Sequence, residues 1–151
     1  MNRWSTPLRS ATLAAAAAVA LSACSMMMPG MSTTVPLRAS LNALQEVPPV
    51  SSPATGMLEA NLDKSTNVLK WRLTYSGLTG PATAAHFHGP ASMGQNAGVV
   101  VPFTSAASGS EGQATLTAAQ IDALMAGQWY ANVHTAANPG GEIRGQVSVG
   151  R

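Results

Sequence analysis

The most regular feature of the chain is an alternation of apolar and polar residues. Over residues 56–62, Leu58, Ala60 and Leu62 fall on one side of an extended backbone, and Met57, Glu59 and Asn61 on the other. Residues 63–67 read as a polar turn. Val68–Tyr75 then repeats the pattern, with Leu69, Trp71, Leu73 and Tyr75 opposite Lys70, Arg72 and Thr74. A period of two predicts half-buried strands. Further strands are expected over 37–44, 82–88, 98–103, 112–116, 128–135 and 141–149. Breaks at Gly77, Gly80-Pro81 and Gly89-Pro90 separate some of them.

One short helix interrupts this pattern. Thr117 and Gln120 have the spacing of a capping box, Leu116 and Ile121 that of a hydrophobic staple, and Gly127 supplies a stop. The last two strands fix their own register. With residues 136–140 as the loop, Val133 faces Ile143, Ala131 faces Gly145 and Trp129 faces Val147. The opposite face pairs His134 with Glu142, Asn132 with Arg144 and Tyr130 with Gln146. A slip of one residue would mix the apolar and polar faces. About eight strands and one connecting helix predict an all-β fold, an antiparallel Greek-key β-sandwich or barrel.

The first residues carry other signals. Arg3 and Arg9 precede an apolar run, Ala11–Leu21, too short to span a bilayer comfortably. Leu21-Ser22-Ala23-Cys24 then resembles a bacterial lipobox. Residues 1–23 are therefore expected to be a lipoprotein signal peptide, and Cys24 the acylated first residue of the mature chain, held to a membrane by its lipid. The resemblance also implies a place in the cell envelope. Ser25 rather than Asp after the Cys favours the outer membrane, facing the periplasm. Residues 24–36, with Met26, Met27, Met28 and Met31 among Ser, Thr, Pro and Gly, read as a flexible tether. Their thioethers are also soft ligands for Cu(I).

Removal of the signal changes the charge argument. The whole chain has eight Lys and Arg against six Asp and Glu; without Arg3 and Arg9 the count is six against six. No basic excess remains to neutralise phosphates, so nucleic-acid binding is set aside. No G-x-S-x-G motif and no pair of neighbouring carboxylates suggests a hydrolase. The chain is not expected to be an enzyme.

The candidate chemistry lies in three histidines, all that the chain contains. His86 and His88, two apart in a strand, leave the same face, and His134 lies near the end of another strand on its polar face. Three imidazoles so placed suit Cu, Zn, Fe or Ni; an exported compartment and the Met-rich tether favour copper, with zinc or no metal as alternatives. The competing view is that they are ordinary surface or hydrogen-bonded histidines. Glu142, opposite His134, would accept its second N–H, or else pair with Arg144 on the sheet surface. Tyr130 and Asn132 share the face of His134 and are candidates to line the site. Met93, Glu46 or water are the candidates for a fourth ligand.

Three motifs resemble one known family. Leu41-Asn42-Ala43-Leu44-Gln45-Glu46-Val47-Pro48-Pro49-Val50, with Ala54-Thr55-Gly56 after it, resembles the opening of the CHRD domain, first described in chordin. Ala85-His86-Phe87-His88-Gly89-Pro90 is similar to its middle motif. Tyr130–Thr135 and Asn138–Gln146 are similar to its closing one. The domain is expected over residues 37–149. The resemblance implies an immunoglobulin-scale sandwich, with an H-x-H strand similar to that of Cu,Zn superoxide dismutase. It carries over His86, His88, His134 and Glu46 as motif residues. Dismutation is not expected, because the dinuclear enzyme uses more imidazoles than this chain has. Two readings remain. One is an envelope lipoprotein that captures, stores or hands over a metal, with a metal donor or envelope protein as partner. The other is a metal-free interaction module whose Glu46–Val50 segment and sheet edges meet a partner.

Overall fold

The computed structural model describes Met1 and residues 33–150. Apart from Met1, the expected signal peptide 1–23, the expected acylation site Cys24 and most of the 24–36 tether lie outside the described residues. Residues 33–150 belong to one compact unit.

Nine strands are described. They are β1 (Thr34–Asn42), β2 (Thr55–Asp63), β3 (Val68–Ser76), β4 (Ala82–His88), β5 (Val99–Pro102), β6 (Ser110–Thr115), β7 (Tyr130–Thr135), β8 (Ile143–Gln146) and β9 (Ser148–Val149). A 3-10 turn, Ala43–Gln45, follows β1, and the helix α1 spans Ala118–Met125. All pairings are antiparallel. The order is β5-β4-β7-β8-β1-β2-β3-β6, with β9 added to β1. The expected all-β architecture with one short helix is therefore present.

The alternation read from the sequence dictates which face is buried. In β2 and β3, Leu58 lies opposite Leu73, Ala60 opposite Trp71 and Leu62 opposite Leu69, and all six are buried. β1 adds Leu37, Ala39 and Leu41 to the same core. The sheet rolls into a nearly closed barrel, because β3 and β4 stand far apart in the strand order yet their side chains meet. Trp71 sits edge-on to Phe87 at 5.2 Å between ring centroids, and Phe103 packs on both. Edge-to-face contacts of this kind suit aromatic quadrupoles. The helix has the capping box expected of Thr117 and Gln120; it buries Leu124, and Gly127 at φ +71° follows it.

Several boundaries differ from the sequence reading, three of them with a clear cause. β1 begins at Thr34, inside the expected tether, because Thr34–Pro36 continue the ladder to Asn61–Asp63. Leu44 is not in a strand: the Asn42 side chain accepts the Gln45 N–H and turns the chain, leaving Leu44 78% exposed. The closing segment splits at Val147, which donates its N–H to Trp129 O and buries its side chain, so β8 and β9 are separate strands.

Candidate metal centre

β4 and β7 are neighbours, and their inner faces carry core residues: Ala85 and Phe87 on β4, Ala131 and Val133 on β7. The alternation therefore sends His86, His88, Tyr130, Asn132 and His134 to the outer face. The register sets His86 opposite Asn132 and His88 opposite Tyr130, with His134 one step along, opposite Ala84. His134 is thus the diagonal neighbour of His86. A β-bulge interrupts the β4–β5 pairing between Phe87 and His88, and a second interrupts β4–β7 between Ala82 and Ala84. Both irregularities flank the histidines, where a bulge re-aims side chains.

This outer face is not the solvent-exposed sheet surface expected from its polarity. The 89–98 loop between β4 and β5, together with residues 46–47, folds over it. Asn96 Nδ2 donates to Val47 O at 2.9 Å, and Arg144 donates to Asn96 Oδ1 at 2.9 Å and to Gln95 O at 2.6 Å. Tyr130, Asn132, Arg144 and Glu46 are all buried beneath this cover. The Arg144 guanidinium carbon lies 3.4 Å from the Tyr130 ring centroid, and the His88 ring stacks on Tyr130 at 4.8 Å with 2° between planes. β4 and β8 flank β7, so the cation and the imidazole reach Tyr130 from its two sides.

The three histidines converge. Each offers a ring nitrogen, and the three nitrogens lie within 4.8 Å of one another. His86 Nδ1 is 3.1 Å from His134 Nε2. Two imidazole nitrogens at that separation, each about 2.0–2.1 Å from one ion, would subtend about 100° there, an ordinary angle for two neighbouring ligands.

The backbone hydrogen bonds fix which ring nitrogen of His88 and His134 carries the proton. A carbonyl oxygen only accepts, so His88 Nδ1 must donate to Ala97 O at 2.9 Å, and His134 Nδ1 to Pro139 O at 2.9 Å. Both rings therefore present Nε2. His88 Nε2 is buried with no hydrogen-bond partner among the described residues, an omission a coordinated ion would repair. Backbone carbonyls fixing the outer nitrogen are a recurrent device of metal-binding histidines. The Pro139 carbonyl is placed by the Asn138–Gly141 turn, closed by Gly141 N–H to Asn138 O at 3.1 Å.

Electrostatics favours neutral rings. Burial holds His86 below the ordinary imidazole value, and the neighbouring His134 and His88 add to the effect. Burial lowers His134 as well; its bond to Pro139 O opposes this and His88 reinforces it. Neutral imidazole is the ligand form.

The other candidate residues divide. Asn132 joins the histidines, with Oδ1 2.9 Å from His134 Nε2. Glu46 is buried beside it, next to Gly141. Burial raises the Glu46 carboxyl, against the opposing effects of Arg144, Asn132 and the Val47 N–H. Tyr130 packs on His88. Met93 is 74% exposed on the covering loop.

Glu142 does not serve His134, nor does it pair with Arg144 on a surface. The regular β7–β8 pairing ends at Val133–Ile143. Beyond it Glu142 N–H donates to Val133 O, and Gly141 adopts φ +127°. The Glu142 carboxylate instead accepts from Ser52 Oγ, Thr79 N and Oγ1, Thr135 Oγ1 and Asn138 Nδ2, at 2.6–3.2 Å. It clamps the barrel end. Arg144 and the Gln95–Ala97 segment are the participants that sequence reasoning missed. Arg144 stood in the polar face of the hairpin, but nothing in the pattern announced the loop that buries it.

A family model described as the CHRD domain matches residues 37–147. No curated protein and no solved structure matches the chain.

Proposed function

The chain belongs to the CHRD domain family, and from that premise we propose that it binds one transition-metal ion, copper in preference to zinc, through His86, His88 and His134. The observation that carries the reading is the convergence of three imidazoles, one with a buried lone pair that nothing among the described residues satisfies. A metal-free module would bear the cost of that orphaned nitrogen without return. Copper is preferred because it heads the divalent affinity order for nitrogen ligands. Held at a cell envelope by an acylated Cys24, such a domain would capture, store or hand over the ion, with a metal donor or another envelope protein as its counterpart. The lipobox-like Leu21–Cys24 supports that location. No step of turnover is assigned to the site.

The test is competitive loading. The full chain is dialysed against equimolar Cu(II), Zn(II) and Ni(II), and bound metal is counted by mass spectrometry. One copper per chain, absent from a His88→Ala variant of unchanged circular dichroism, supports the reading. No metal on the wild-type chain rejects it in favour of the interaction module.

A further inference from the structure

Asn132 and Glu46 are arranged in a way that the three histidines do not explain. Because His134 Nδ1 is committed as a donor to Pro139 O, the neutral ring presents an unprotonated Nε2. Asn132 Oδ1 lies 2.9 Å from that same nitrogen. Two acceptors therefore face each other at hydrogen-bond distance inside a buried site. Turning the Asn132 amide over would cure the conflict, but its other end faces Glu46. The amide nitrogen and Glu46 Oε1 lie beside the same point at Gly141, and the amide lowers the Glu46 pKa. Glu46 is only 4% exposed, and its Oε1 is buried without a hydrogen-bond partner. Gly141 makes room for the pair: a Cβ there would overlap Glu46 Oε1 and come within 2.8 Å of Asn132 Nδ2. The remaining neighbour of His134 Nε2 is His86 Nδ1, itself a candidate ligand.

A cation bound to both, a proton on Nε2 or a metal ion shared with the neighbouring imidazoles, reconciles the opposed lone pairs. We infer that Asn132 Oδ1 is the fourth donor of the centre, and that Glu46 is the positioning residue that turns it there, so that the site takes copper as Cu(II). This inference rests on the three-histidine reading and adds an oxygen to it. A mixed nitrogen and oxygen set suits tetragonal Cu(II), whereas Cu(I) is selected by thiolate and thioether sulfur and gains little from an amide carbonyl. Glu46 also places a buried carboxylate beside Gly141, close to Asn132.

The experiment uses the full chain and four variants: Asn132→Ala, Asn132→Asp, Glu46→Ala and the triple His86→Ala/His88→Ala/His134→Ala. Cu(II) and Cu(I) affinities are measured by competition with chelators, the Cu(II) centre by electron paramagnetic resonance, and folding by circular dichroism. Asn132→Ala is expected to weaken Cu(II) binding about 10–100-fold, as loss of a supporting group around a metal typically does. It should shift the Cu(II) spectrum and leave Cu(I) affinity unchanged. Asn132→Asp, which keeps an oxygen at the same place, should restore Cu(II) binding. Glu46→Ala should reproduce the Asn132→Ala spectrum; a merely structural Glu46 would lower the melting temperature and leave the spectrum as in wild type.

Unchanged Cu(II) affinity and spectrum in Asn132→Ala, with binding still lost in the triple variant, would overturn the inference and spare the three-histidine reading. Absence of copper binding by the wild-type chain would overturn both. If Asn132→Ala fails to fold, the Asn132→Asp spectrum decides. An anionic oxygen on the metal must alter it, and a wild-type spectrum there overturns the inference.

Discussion

Replacing Glu142 with Gln removes a negative charge from the most heavily hydrogen-bonded carboxylate described in the chain. Five donors from Ser52, Thr79, Thr135 and Asn138 converge on it, tying the 50–54 segment and the β3–β4 connection to the β7–β8 hairpin. Burial pushes this carboxyl up, but the hydrogen bonds from Ser52, Thr135 and Thr79 outweigh it and lower the pKa to about 2. The unfolded value is 4.5. A folded value below the unfolded one means that the ionised group stabilises the fold above pH 4.5, and that this contribution is lost as pH falls towards 2. The full shift corresponds to about 3 kcal/mol at pH 7. The side chain is sealed by its neighbours but lies shallow, so solvent screening reduces the expected contribution to about 2–3 kcal/mol. For a domain of this size that is a fall in melting temperature of about 10 °C. Urea unfolding of both proteins at pH 7 and pH 3 measures it. The gap between them should narrow by roughly half at pH 3, where the wild-type carboxylate has lost much of its advantage. A gap under about 0.5 kcal/mol at pH 7, the range of an inconsequential surface change, would refute the clamp. So would a gap of the same size at both pH values.

Three further outcomes follow from the same geometry. Gly89→Ala places a Cβ 2.6 Å from Trp129 Cδ1 and 2.9 Å from Gln128 O; thermal unfolding should show a loss of about 1–3 kcal/mol, as overpacking typically costs, and an unchanged melting temperature would contradict it. Tyr130→Phe should keep the His88 stack and the Arg144 cation–π contact, whereas Tyr130→Leu should lose both and fall by about 1–3 kcal/mol in denaturant unfolding; equal stability of the two variants would count against the sandwich. His86 and His134 resist protonation in the fold relative to 6.5 in the unfolded chain, so the metal-free protein should lose stability as pH falls below 6.5, well above the Glu142 window. Denaturant midpoints across pH 7.5–5 test this, and a flat profile in the wild type would contradict it.

The barrel was legible because its code is local. Leu58-Glu59-Ala60-Asn61-Leu62 and Leu69–Leu73 state their buried faces in a period of two, and the capping residues Thr117 and Gln120 state where the helix begins. The β7–β8 register followed from keeping Val133, Ile143 and Ala131 on one face, and the four described pairs match it. The same logic placed His86 and His88 on one strand face and His134 on the polar face of another strand; the β4–β7 pairing brings the three together. What it did not supply was the third dimension above that surface. Residues 89–98 carry no periodicity, so nothing in the pattern showed that Gln95, Asn96 and Ala97 would cover Arg144, Tyr130 and His88 and turn a polar face into a buried layer. Nor did pairing rules foresee Gly141. Its φ of +127° ends the regular ladder, sends Glu142 to Thr135 and Thr79, and leaves His134 to the Pro139 carbonyl.

The central claim is that one ion binds at His86, His88 and His134, and equilibrium titration of the full chain with Cu(II) against a calibrated chelator tests it most directly. The triple His86→Ala/His88→Ala/His134→Ala variant is run alongside. The account predicts a single tight equivalent on the wild-type chain, affinity that falls in acid as the imidazoles protonate, and loss of that equivalent from the folded variant. The same weak binding by both proteins would contradict it.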